Sequence, residues 1–120
     1  MKRSKRLQVI VDIKATQEQK SLEVLGQAQR QQTQMKGQVE GLSSYRSDYV
    51  DKCNAFAKGG VKVSRLIEFR SFIDKLDIAI TGQEKILKNM EQDVLLKRKT
   101  WEMMYQNTQI IQKVRESALK

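Results

Sequence analysis

The 120-residue sequence has no histidine, no proline and a single cysteine, Cys53. Without histidine the chain cannot form a Ser-His or Cys-His catalytic pair or an imidazole metal site, and one cysteine cannot build a thiolate zinc site. The single thiol cannot form an internal disulfide, which is typical of a reducing cytoplasm. We therefore expect a cytoplasmic protein that is not an enzyme and that uses no metal or other cofactor.

Aromatic residues are also scarce, at 6% of the chain, and the mean hydropathy is −0.60. This leaves little apolar surface for a layered globular core. Because there is no proline, nothing forces a break in a long helix, and no apolar run approaches the length of a membrane span. The composition therefore predicts an all-α protein made of long helices.

Apolar residues in the second half recur at alternating steps of three and four from Leu66 to Ile111, which is the heptad pattern of a coiled coil. Gln83, Lys97 and Thr108 are the polar members of this seam, and such residues fix register at a cost in stability. The pattern predicts one long, amphipathic second helix.

The first half has a shorter seam from Met35 to Phe56, with Arg46 as its polar member. Before Met35 the pattern weakens, and we expect the N-terminal end to fray. The apolar residues that offer a stripe in this region are Val11, Leu22, Leu25 and Ala28.

The two seams are separated by Lys58-Gly59-Gly60-Val61-Lys62. Paired glycines supply the left-handed backbone that ends a helix, and Ser64 can cap the next one. We therefore predict a long two-helix antiparallel coiled-coil hairpin forming a single domain over residues 1–120, with helices at about 8–57 and 64–117 and a turn at 58–63. Residues whose numbers sum to about 121 should lie opposite each other.

Three glycines, Gly37, Gly41 and Gly82, fall within the predicted helices at similar distances from the turn. Each costs about 1 kcal/mol relative to alanine in a helix. We interpret this level as a soft point of the hairpin.

Apolar residues beside the seams near the turn exceed what a two-helix seam can bury. Tyr45 lies one position off the first seam, next to its member Arg46. Phe72, Ala79 and Ile86 form a stripe beside the second seam with a spacing of seven. These side chains either widen the core or form a docking surface for another protein. Periodicity by itself favours the widened core slightly.

The formal charge of +9 favours anionic partners, which include acidic proteins, nucleic acid and anionic lipid. Many of the basic residues of the second helix lie in its distal half, where they either solvate the helix or form a functional cluster. A nucleic-acid-binding coiled coil is one alternative function. It fits poorly, because a basic zipper needs a basic helix that runs directly into its seam, and Lys2–Arg6 does not.

Two patterns beside the turn resemble the FliJ family, small coiled-coil components of the flagellar type III export apparatus. The first helix carries Gln38-x-x-x-Leu42-x-x-Tyr45-x-x-x-Tyr49. The second carries Phe69-x-x-Phe72-Ile73-x-x-Leu76-x-x-Ala79-Ile80-x-x-Gln83. The resemblance covers most of residues 20–115.

The resemblance implies a stalk that enters the central hole of the flagellar export ATPase (FliI-type) hexamer, as the γ subunit enters the F-type ATPase. It also implies contacts with the cytoplasmic domain of the FlhA-type export gate and with export chaperones, and a peripheral position at the inner face of the cell membrane. The equivalent stalk of a virulence injectisome is the nearest alternative, and we expect no nucleic acid partner.

The residues expected to carry these contacts fall into two sets. The resemblance implies an export-gate surface that consists of Gln38, Leu42, Tyr45, Tyr49, Phe72, Leu76, Ala79 and Gln83. The basic residues expected to bind the ATPase ring are Lys97, Arg98, Lys99, Lys113 and Arg115.

Overall fold

The computed structural model describes residues 2–119, with side chains from Arg3 to Ala118. Helix α1 spans Lys2–Ala57 and helix α2 spans Val63–Leu119, and the described residues contain no strand. The predicted all-α, two-helix hairpin is therefore confirmed. Helix α1 begins at Lys2, earlier than the expected start near residue 8.

The turn lies between Ala57 and Val63 and contains the glycine pair. Gly60 has a φ of 84°, the left-handed conformation in which glycine meets no Cβ penalty. Its N–H donates to the Ala57 carbonyl at 3.1 Å, which satisfies one of the last carbonyls of α1. Helix α2 then begins at Val63, so Ser64 lies inside the helix rather than capping it, and the Lys62 carbonyl accepts the first helical hydrogen bonds, from Arg65 and Leu66.

The chain divides into two compact units, each of which pairs a segment of α1 with a segment of α2. The turn unit consists of Gln32–Met90, and the terminal unit consists of Met1–Gln31 and Glu91–Lys120. Whether residues 1–120 behave as one domain stays a prediction.

In the turn unit, the predicted seam holds the buried residues. Val39 and Cys53 of α1 and Leu76 and Ile80 of α2 are each at most 9% exposed. The neighbouring seam residues are half-buried, except for Phe56 and Leu66 beside the turn, which are exposed. No large side chain in the described part of the chain is fully buried. Two paired helices cover only one stripe of each other, so the core is a line of side chains rather than a volume.

The terminal unit continues the same packing. Leu25, Ala28 and Val94 form a buried cluster, and Trp101 packs against it. Thr108 is buried at its predicted seam position, where its hydroxyl donates to the Met104 carbonyl at 2.9 Å. The polar member of this seam thus satisfies its hydrogen bond within its own helix.

The seam of α1 also continues before Met35, where the sequence pattern fades. Its members are buried or half-buried at steps of three and four, and many are polar: Ser4, Leu7, Val11, Lys14, Glu18, Ser21, Leu25, Ala28 and Gln32. Leu22 was expected in this stripe, but it is 41% exposed, and Ser21 occupies the seam position. Since polar side chains fill the seam there, hydropathy does not reveal it.

Within residues 2–119, neither helix contains a segment that is long and apolar enough to cross a membrane.

We predict that Gly37→Ala, Gly41→Ala and Gly82→Ala each stabilise the protein by about 1 kcal/mol, because alanine loses less backbone entropy in a helix. A Cβ at each position would have no neighbour within 4 Å. Thermal melting should show a higher Tm for each variant. Gly60→Ala is the matched control and should lower the Tm, because its φ of 84° strains any residue with a Cβ. A lower Tm for the helical variants would show that these glycines have a structural role.

Candidate functional site

Aromatic side chains from both helices meet in the turn unit. The Tyr49 and Phe72 rings pack edge to face with centroids 4.7 Å apart, and Tyr45 contacts both rings with centroid distances of 6.5 and 6.4 Å. The cluster extends towards the turn through Phe69, which lies 6.3 Å from Tyr49 and 6.1 Å from Phe56. The aromatic cluster is therefore defined by Tyr45, Tyr49, Phe56, Phe69 and Phe72, and its Tyr49–Phe72 contact follows the predicted pairing of the two helices.

A cation closes the turn end of this cluster. The Arg65 guanidinium carbon lies 5.9 Å from the Phe56 ring centroid and 5.7 Å from that of Phe69. Such cation–π contacts hold a charged group against apolar surface. Arg65 was not predicted from the sequence, because a single arginine beside a seam gives no periodic signal.

The heptad positions explain only part of the exposure in the cluster, because the seam residue Phe56, next to the turn, is itself 59% exposed. Tyr49 and Phe69 belong to the seam, whereas Tyr45 and Phe72 immediately precede the seam residues Arg46 and Ile73. Phe72 is half-buried and widens the core, but Tyr45 stays 52% exposed. The two interpretations left open by the sequence therefore apply to different residues.

Apolar side chains gather on one flank of the turn unit, which we call the apolar flank: Tyr45, Phe72, Ala79 and Ile86. Ala79 is exposed and Ile86 is 47% exposed. The other flank of α2 carries charged residues, each four positions after every second seam residue: Arg70, Asp77 and Glu84. The aromatic residues Tyr45 and Phe72 thus lie on one side of the helix pair, whereas Ile67 and Ile78 are exposed elsewhere on α2.

The residues expected to contact the export gate divide according to burial. Leu76 is only 7% exposed and forms part of the core. Leu42, Tyr49, Phe72 and Gln83 are half-buried, and Gln38, Tyr45 and Ala79 are exposed. Only the exposed residues and the open edges of the half-buried ones are accessible to a partner.

The polar seam residue Arg46 is paired across the two helices. Its Nε donates to Oδ1 of Asp77, and its Nη2 donates to Oδ2 at 3.3 Å. This two-point contact favours the observed alignment of the helices, because bidentate pairing of a guanidinium with a carboxylate is directional. Both side chains are partly exposed, at 37% and 47%, so solvent screens the pair and its contribution to stability is small.

The basic residues expected to bind an ATPase ring do not form one patch in the terminal unit. Lys97 is half-buried, and its Nζ donates to Oδ1 of Asp93 at 2.8 Å. Arg115 is half-buried and donates to Oε1 of Gln8 at 2.6 Å. The exposed members are Arg98, Lys99 and Lys113. Arg98 follows the seam residue Val94 by four positions and so lies on a different face of α2 from Lys99 and Lys113.

The described residues contain no group of three or more cysteine, aspartate or glutamate side chains arranged to hold a metal ion.

Within the aromatic cluster, the pKa of the Tyr49 phenol is raised above its ordinary value. Packing against its neighbours disfavours the phenolate, and the hydrogen bond with Cys53 adds to the effect. Because the pKa of Tyr49 is higher in the folded than in the unfolded protein, its contribution to the free energy of unfolding is fully present below the unfolded tyrosine pKa of about 10. This contribution is lost as the pH rises from the unfolded pKa through the folded pKa.

We therefore expect the Tm of the parent protein to fall more steeply above pH 10 than that of Tyr49→Phe, which has no phenol to ionise. Thermal melting between pH 8 and pH 11 measures this, with Tyr105→Phe in the terminal unit as a control that should follow the parent. Parallel pH profiles for the parent and Tyr49→Phe would contradict the expectation.

Comparison with known proteins adds an independent result to this geometry. The family model of the flagellar FliJ protein matches residues 3–120. The chain is similar to the flagellar FliJ protein of Escherichia coli (strain K12), with 26% identity over 110 residues that cover 92% of this chain and 75% of the relative. No solved structure matched. Since the family model covers nearly the whole sequence, the chain belongs to the flagellar FliJ protein family, whose members are components of flagellar protein export.

Proposed function

We propose that this chain is a non-enzymatic stalk and escort protein of the flagellar type III export apparatus, which binds the export gate through the apolar flank and the hexameric export ATPase through basic residues of its terminal unit. The observation that carries the proposal is the exposure of Tyr45 at the edge of a cross-helix aromatic cluster. Aromatic residues that stay half exposed on a rigid support are typical anchors of protein interfaces.

The gate contact rests on the apolar flank. The Tyr45 ring packs against the rings of Tyr49 and Phe72, so it is held in position before a partner binds. Preorganisation of this kind lowers the entropy cost of binding. Gln38 and Ala79 are exposed beside it and would form the surrounding contacts. Leu76 and the other seam residues would act indirectly, by holding the two helices in register.

The ring contact rests on the exposed basic residues Arg98, Lys99 and Lys113. Their charges would meet acidic groups lining the ATPase ring and guide association. Lys97 and Arg115 are engaged by Asp93 and Gln8, so we assign them a supporting role within the terminal unit.

Export chaperones are the third proposed partner class, and the chain would act at the inner face of the cell membrane through its association with the gate. Both the family description and the named relative are flagellar, which favours a flagellar over an injectisome system.

We expect Tyr45→Ala to weaken binding to the cytoplasmic domain of the export gate by about 30-fold or more, as for an anchor worth about 2 kcal/mol. The Tm should change little, because the side chain is half exposed. Binding by isothermal titration calorimetry and motility of complemented cells are the measurements. Tyr105→Ala removes a tyrosine of similar exposure, 44% against 52%, from the terminal unit and should bind normally.

Phe72→Ala separates the two roles of the cluster, since it should lower both the Tm and gate affinity. Unchanged gate affinity in both Tyr45→Ala and Phe72→Ala would refute the proposed gate surface.

We expect reversal of the exposed charges with Arg98→Glu, Lys99→Glu and Lys113→Glu to weaken binding to the ATPase ring and to reduce ATPase stimulation. The remaining binding should depend less on salt, because fewer charge contacts are left to screen. The matched control is Lys75→Glu, Lys85→Glu and Lys88→Glu, three exposed residues of the turn unit that give the same change in net charge. Equal losses in both variants would mean that net charge, and not this surface, drives association.

A further inference from the structure

A second heptad seam runs along the outside of α2 in the terminal unit. We call the seam that joins the two helices the inner seam. Every second residue of the inner seam, from Val94 to Arg115, is preceded or followed by a member of this second stripe, one position before it or two positions after it. The members are Leu96, Thr100, Met103, Asn107, Ile110 and Val114. These steps of four and three are those of a coiled-coil contact. The apolar members are exposed: Leu96 by 63%, Met103 and Ile110 by 57% each, and Val114 by 40%. We call this set the outer seam.

Helix α1 contributes apolar residues at equivalent heptad positions. Ile10 and Val24 each lie one position before a residue of the inner seam, as Thr100 and Val114 do on α2. Ile13 lies two positions after the inner seam residue Val11. Their exposed fractions are 40%, 48% and 51% for Ile10, Val24 and Ile13. Both helices thus expose apolar side chains outside the seam that joins them.

A groove shows that these flanks lie side by side. Val24 and Gln17 of α1 line the same groove as Thr100 and Met104 of α2, and its volume is about 540 Å³. Ser21 and Met104 are inner seam residues, so the groove floor is the edge of the hairpin core. A groove between two helices, bordered by a heptad stripe, has the geometry that accepts a third helix.

Charge identifies the chemistry of the occupant. Lys20 lines the groove, and Lys99 and Lys113 are exposed on the adjoining face of α2. Asp93 lies one position before Val94 on this flank, and Lys97 already engages its carboxylate at 2.8 Å. The surroundings of the groove are therefore cationic, and they favour acidic side chains on the partner.

We propose that the outer seam and its groove bind one amphipathic α-helix of another protein, with an apolar heptad stripe and acidic residues beside it, to complete a three-helix coiled coil. A second copy of this chain fits less well, because like surfaces would bring Lys20, Lys99 and Lys113 of both copies together. Binding to a lipid bilayer requires neither a heptad spacing nor the polar residues Thr100 and Asn107 within the stripe. Coiled coils, in contrast, use such polar members to set register.

The proposed site is separate from the gate surface, but its rim includes Lys99 and Lys113 of the proposed ring contact. The test therefore changes apolar residues alone. Met103→Ser with Ile110→Ser removes the centre of the outer seam, and both side chains are more than half exposed, so circular dichroism and Tm should match the parent. Ile67→Ser with Ile78→Ser is the control, because these residues are 63% and 73% exposed in the turn unit.

The probe is a fluorescein-labelled synthetic peptide of about four heptads, with leucine at heptad positions a and d and glutamate at positions e and g. The peptide stays monomeric because the glutamates of two copies repel each other. A second peptide carries lysine at e and g. Fluorescence anisotropy with the full chain should give a micromolar Kd for the glutamate peptide, weakened by added salt, and no saturable binding of the lysine peptide. The Met103/Ile110 variant should bind at least about tenfold more weakly, and the Ile67/Ile78 control should bind normally.

Equal binding of the two peptides, or an unchanged Kd in the Met103/Ile110 variant, would overturn the proposal. Two further assays examine the other occupants: sedimentation of the chain alone, and flotation with phosphatidylglycerol and phosphatidylcholine vesicles. The proposal would also be overturned if the peptide does not bind and the chain instead self-associates or binds vesicles in a way that depends on Met103 and Ile110. Failure here would leave gate binding through Tyr45 intact, so the two proposals are tested separately.

Discussion

Two helices paired along a single seam can bury only one stripe of each other, and this geometric limit governs the whole molecule. The buried residues are few and mostly of modest size, such as Val39, Cys53 and Val94. Side chains one position away from the seam remain partly open to solvent, because there is no third layer to cover them. A chain of this kind cannot avoid presenting apolar surface, and both proposed binding surfaces are built from it.

Polar residues within the seam are accommodated in two ways. Arg46 is satisfied by Asp77 from the opposite helix, which favours the observed alignment of the pair. Thr108 instead donates to the carbonyl one turn earlier in its own helix and places no demand on its partner. The first arrangement favours one register, and the second merely permits burial. Register in the turn unit is therefore supported by a charge pair as well as by apolar packing.

The exposed apolar residues also differ between the two units. In the turn unit, aromatic rings pack on one another and leave Tyr45 at the edge, which suits a compact anchor. In the terminal unit the members of the outer seam are not aromatic and follow a heptad spacing, which suits a contact along a helix. The two proposed binding surfaces therefore differ in chemistry and in shape.

The sequence by itself determined the helices, the turn at Gly60 and the seam of α2, because apolar period and backbone freedom are local properties of the chain. Its motifs also indicated the family, which the comparisons established. Tertiary structure decided that Asp77 pairs with Arg46, that Ser21 rather than Leu22 lies in the seam, and that Arg98 lies apart from Lys99 and Lys113. Hydropathy carries no signal where polar side chains fill a seam, and a charge pair between residues 31 positions apart exists only once two helices align. Exposure beside the seam, as at Tyr45, likewise depends on what the opposite helix covers.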